Sequence, residues 1–97
     1  MNILISGRAE VSEVGEPTPL IYDSMEVHDV DIVALSTNSG LVWIGCHNVR
    51  ATVGNETGVP LEAEQSYHLD AVDLSTIYID AVNVGDGVTW NAVNAVQ

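Results

Sequence analysis

Asn38-Ser39-Gly40-Leu41-Val42-Trp43-Ile44-Gly45 is a turn signal that runs straight into a short apolar segment, and the rest of the chain is read outward from it. Asn, Ser and Gly favour tight turns, and a brief β-branched and aromatic run closed by glycine is a strand. Downstream the pattern recurs. Val49 leads into a loop carrying Gly54 and Gly58, followed by Pro60-Leu61. Two further strands are expected at Ser66-Tyr67-His68-Leu69-Asp70-Ala71 and at Asp73-Leu74-Ser75-Thr76-Ile77-Tyr78-Ile79. No helical periodicity accompanies them, although a short helical turn near Leu61 to Gln65 is compatible with the pattern. Short strands punctuated by Gly, Asn, Asp and Pro bury their apolar residues by stacking two sheets or closing a barrel. The expected fold is all-β, a single β-sandwich or jelly-roll-like barrel of about seven or eight short antiparallel strands.

Toward the N-terminus, Met1 to Ser6 reads as a short apolar strand or arm, and Arg8 to Val14 alternates weakly. Gly15-Glu16-Pro17-Thr18-Pro19 is a connector, because proline fixes φ and removes a donor. Residues 1–19 thus form a strand or arm with its connector, and Leu20 to Tyr22 opens a second short strand. Asp29 to Thr37 places Val30, Ile32 and Ala34 on one face and Val33 and Leu35 on the other. Later, Tyr67, Leu69 and Ala71 oppose His68 and Asp70, and Ile77, Ile79 and Ala81 oppose Tyr78 and Asp80. If those two strands are neighbours, His68, Asp70, Tyr78 and Asp80 share an acidic outer face. Gly85-Asp86-Gly87 is a turn, and Val88 to Val96 is a closing strand with Val88, Trp90 and Ala92 inward. Beyond Ala92 the apolar phase slips to Val93 and Ala95, as a β-bulge produces.

A chain of 97 residues makes one domain, 1–97, with one modest core. It is 46% hydrophobic and only 16% charged, so some apolar surface is expected to face a partner, as a homo-oligomer or on a larger assembly. The net charge is −12, with seven Asp, seven Glu, two Arg and no Lys. Two cations cannot displace the counterions of phosphate, which excludes nucleic-acid binding, and the same charge opposes anionic membranes. There is no apolar run of membrane-spanning length and no basic segment leading into a secretory core, so synthesis in the cytoplasm without export is expected. The acids are unevenly placed. None lies among the 24 residues from Ile32 to Asn55, which hold Trp43 and Arg50. Two readings fit this stretch: a central hairpin buried on both faces, or a hairpin with one edge offered to a neighbour.

Residues equipped for catalysis do not assemble in the sequence. Cys46 is alone in an expected strand, where His47 points to the opposite face, so the pair makes no thiolate and base dyad. A solitary Cys is read as a small buried hydrophobe. His28, His47 and His68 lack metal-ligand spacing. Asp29-Val30-Asp31 and Asp70 to Asp73 offer oxygens to a hard cation but do not resemble a calcium-binding loop. The serines lack nucleophile-elbow context, no glycine pattern opens a phosphate-binding helix, and both tryptophans stand in core phase. Neither an enzymatic activity nor a cofactor is expected. The candidate interface residues are Ile3, Leu4 and Ile5, apolar at a chain end, with Arg8 and Arg50 as the two cations available to an acidic molecule.

The order of these segments resembles a small all-β module of tailed-phage virion proteins. That module carries an N-x-G strand ending in Gly, a Gly-x-Pro-Leu segment leading to a later Leu, and a D-L-S-x-I-Y strand. The corresponding pieces are Asn38 to Gly45, Gly58 to Leu69 and Asp73 to Ile79, so with its flanks the resemblance covers the last two thirds of the chain. Glu62-Ala63-Glu64-Gln65 departs from it where Pro-Gly is usual, and Gly87 to Trp90 runs on where the module's last strand ends. The resemblance implies a head decoration or cement protein on the capsid exterior, bound in many copies over the major capsid protein as a trimer or dimer. A neck, collar or fibre component is the alternative within the virion. A small carbohydrate or host-receptor binding module on the same sandwich is the alternative from another class.

Overall fold

Long strands form one layer and short strands the other. The computed structural model describes residues 2–95, so Met1 and the last residues of the closing segment, Val96 and Gln97, lie outside the described residues. The elements run β1 (Asn2–Glu10), β2 (Thr18–Pro19), β3 (Glu26–Ala34), β4 (Val42–Gly45), β5 (Val59–Leu61), β6 (Ser66–Asp73), a 3-10 turn (Leu74–Thr76), β7 (Tyr78–Ala81) and β8 (Gly87–Ala95). One four-stranded sheet has the order β1-β8-β3-β6 and the other β2-β7-β4-β5, with every pairing antiparallel. The sheets remain separate, making a sandwich and not a closed barrel. The eight- and nine-residue strands of the first sheet are the longest elements of a molecule that measures 44 by 24 by 20 Å.

Alternation explains the core. Val30, Ile32 and Ala34 of β3 and Val88, Trp90 and Ala92 of β8 face Val42, Ile44, Leu61, Ile79 and Ala81 of the short sheet, in one apolar cluster closed by Val11, Leu20, Leu74 and Ile77. The inward phase skips from Val27 to Val30, where Asp29 takes φ 52° and the β3–β8 register shifts between His28 and Asp31. The irregularity expected near Ala92 therefore sits in β3. The closing strand β8 keeps an unbroken register with β1 from Gly87 to Ala95.

Several expected elements are corrected. The segment Asp73 to Ile79 is not one strand, because the Asp73 carboxylate accepts from the Ser75 N–H at 2.9 Å and caps the 3-10 turn; side-chain capping overrides the alternation. The first two expected strands merge into β1, which ends at Glu10. The next strand lies at Thr18–Pro19, not Leu20 to Tyr22, since an outer strand tolerates proline. β3 begins at Glu26 and ends at Ala34. The acid-free stretch is no hairpin, because β3 and β4 belong to different sheets, and β4 keeps Trp43 and Gly45 only half-buried on its outer side.

Candidate functional site

β1 forms one edge of the long sheet and pairs along its whole length with β8 of its own chain, from Asn2 opposite Ala95 to Glu10 opposite Gly87. Gly7 seats it. A Cβ at Gly7 would stand 2.5 Å from Cζ2 of Trp90, so only glycine lets the strand lie across the indole. Residues Ile3 and Ile5 point to the inner face and Leu4, Ser6 and Arg8 to the outer one. The short sheet stops before the N-terminal end of β1, so Ile3 is 41% exposed despite facing inward, and Leu4 is 69% exposed on the other side. Val14, Tyr22, Val53, Val82 and Val84 are also exposed, but they stand on loops.

Of the candidate interface residues, Ile3, Leu4, Ile5 and Arg8 are thus adjacent on one strand, and Arg50 is not with them. The Arg8 Nε donates to Glu10 Oε2 at 2.9 Å. Arg50 lies in the loop between β4 and β5, on the short-sheet layer. Its backbone is held by Thr57, with N–H to Thr57 Oγ1 at 3.0 Å and its carbonyl accepting from the Thr57 N–H at 3.0 Å. Its guanidinium donates to the Val49 carbonyl at 2.8 Å. The two arginines therefore serve different faces of the molecule.

The shared acidic patch does not form. β6 is at the far edge of the long sheet and β7 is inside the short one, so His68 and Asp70 are separated from Tyr78 and Asp80. His68 instead meets the neighbouring strand: its Nδ1 is 2.9 Å from Asp31 Oδ1, while its Nε2 is 3.3 Å from Asp70 Oδ1. The hydrogen bond to Asp31 holds the imidazole above its ordinary value of 6.5, and Asp70 adds to the effect.

Asp80 is fully buried on the outer side of the short sheet, beneath two loops. Its Oδ1 accepts from the Gly15 N–H at 3.1 Å and the Ala81 N–H at 2.9 Å, and its Oδ2 from the Ala51 N–H at 2.9 Å. Asp86, also buried, takes the N–H groups of Ser39 and Gly40 at 3.1 and 3.0 Å. Asp73 accepts from Ser24, from the Met25 N–H at 3.0 Å and from Ser75, and these bonds, Ser24's foremost, hold its carboxyl well below the ordinary 3.8. Asp80, expected on an acidic outer face, is a loop anchor like Asp73 and Asp86, a use signalled in the sequence only by its place between Ile79 and Ala81.

Cys46 falls beyond the end of β4 and is exposed, not the buried hydrophobe expected of it, because the chain bends there and turns its thiol to Asn48. Trp90 is core, as expected, whereas Trp43 is only half-buried, beside Pro60 on the outer side of the short sheet. Among the described residues no three His, Cys, Asp or Glu side chains come together to hold a metal ion, and no helix is long and apolar enough to cross a membrane. Searches of protein-family models, curated proteins and solved structures find no match to this chain.

Proposed function

We propose that this chain is a structural virion protein, a head decoration protein that binds in many copies to the major capsid protein on the outside of a phage shell and stabilises the shell. The supporting observation is the contrast between a sandwich whose loops are tied down by buried aspartates and its acid-free stretch, which places Arg50 and the exposed Val53 on one loop. In an acidic molecule, that loop offers an anionic lattice little repulsion, because its one carboxylate, Glu56, accepts from the Gly54 N–H at 2.9 Å and is offset by Arg50. A ligand that binds only the assembled shell stabilises it by mass action. The resemblance of the Asn38 to Ile79 segments to phage virion modules supports the same reading.

The test is to mix the protein with capsids lacking it, count bound copies per particle and follow shell survival on heating. Saturable binding and a higher disruption temperature are expected, with Arg50→Glu binding at least tenfold more weakly. Absence of binding to heads, with binding to necks or fibres, would move the protein elsewhere in the virion. A carbohydrate-binding role is the second reading, favoured by a depression of about 330 Å³ on the long sheet lined by Ser6, Asp31, Thr89 and Asn91. It ranks below the first because Trp90, the one aromatic residue among those lining the depression, is buried with its indole beneath Gly7 and offers no open stacking face. Tryptophan fluorescence titrated with sugars distinguishes the two.

A further inference from the structure

The four edge strands are not equally protected. β2 carries Pro19 and β5 carries Pro60, each removing a donor from its edge of the short sheet. β6 carries His68, Asp70 and Asp73, with charge and solvated side chains along it. Such features discourage a further strand from adding. β1 differs: from Asn2 to Gly7 it has no proline, no charge and no break in register, and its outer row of N–H and C=O groups has no strand beside it. Its apolar side chains are exposed on both faces through Ile3 and Leu4.

We propose that this edge pairs with the same edge of a second copy, antiparallel about a two-fold axis, joining two four-stranded sheets into one of eight strands. Charge selects a second copy as the occupant. Across the whole of β1, Arg8 and Glu10 cancel, whereas the chain carries −12. A two-fold centred on Leu4 sets Asn2 opposite Ser6 and Ile3 opposite Ile5, so it brings only uncharged residues together and leaves Arg8 and Glu10 of each copy outside the paired run. Two molecules that repel elsewhere therefore meet least resistance here. In such a pair Ile3 and Ile5 extend the inner apolar face across the joint, and Leu4 covers the outer one. The backbone supplies direction, as in strand addition generally.

The pairing is independent of the virion reading and is tested without capsids. Sedimentation of the full chain at about 100 µM in moderate salt, on the usual affinity scale, is expected to give twice the 10.3 kDa chain mass. Leu4→Lys is expected to weaken association at least tenfold, although it makes the chain less negative. Ala71→Lys on β6, with the same change in charge, is expected to leave association intact. In a Cys46→Ser background, Leu4→Cys is expected to yield a covalent dimer on mild oxidation, whereas Ser6→Cys, opposite Asn2 of the second copy, and Ala71→Cys stay unlinked. The cross-link holds as a test even if the lysine variant unfolds. A monomer or trimer in sedimentation, or a dimer that survives Leu4→Lys and does not cross-link through Leu4→Cys, would overturn the proposal.

Discussion

Asp80 places a carboxylate where the pattern of its strand calls for an outward, solvated side chain, and the loops at Gly15 and Ala51 close over it. Replacing it with Ala strands three backbone N–H groups, so Asp80→Ala is expected to cost about 3 kcal/mol or more, read by chemical denaturation. Asp80→Asn keeps one acceptor oxygen and is expected to cost less. The titrating pairs act in opposite directions. His68 is raised, so its contribution is complete below 6.5 and is lost as pH rises through its folded value. Asp73 is depressed, so its contribution is complete above 3.8 and is lost as pH falls toward its lower folded value. Stability measured by melting across pH is expected to peak between these limits, near pH 5. His68→Gln should flatten the decline on the alkaline side, and Asp73→Asn the decline on the acid side. A profile unchanged by His68→Gln would show that its pairing with Asp31 carries no stability.

At the scale of elements, the fit of β1 against β8 depends on Gly7. Gly7→Val drives a branched side chain into Trp90, and overpacking of this kind is expected to cost about 1–3 kcal/mol. Both denaturation and an altered Trp90 fluorescence would report it; an unperturbed variant would mean that the indole moves aside freely. The strands were legible where alternation was strong, as in Val30, Ile32 and Ala34 or Val88, Trp90 and Ala92. They were not legible where a local side chain competed with the pattern. Asp73 turned an apparent strand into a 3-10 turn, and the left-handed Asp29 shifted the phase of β3. Ile3, Leu4 and Ile5 stood out as a candidate surface from their apolar run near the chain end, but their placement at an edge, and their distance in the fold from Arg50, depend on which strand lies beside β8.

For the whole molecule, fourteen carboxylates against two arginines make mutual repulsion the dominant electrostatic term. The Arg8–Glu10 pair is exposed and contributes little against it. Raising salt is therefore expected to raise the melting temperature and tighten self-association, since screening relieves repulsion over distances of about 10 Å at 0.1 M. A melting temperature that falls steadily with added salt would mean that a few specific ion pairs dominate instead. Under the proposed virion role, the same repulsion would keep decorated particles apart.

Fold class followed from local chemistry: turn residues fix where the chain reverses, and two-residue alternation fixes which side chains seek a core. The strong acidity is likewise a property of composition. Strand neighbours were beyond that reach, because an alternating strand presents the same pattern whichever strand lies beside it. The division of β6 and β7 between two sheets turned the expected His68, Asp70, Tyr78 and Asp80 face into an exposed His68–Asp31 pair and a buried Asp80. Only packing decides whether an outward carboxylate meets water or the amides of a loop that folds back over it.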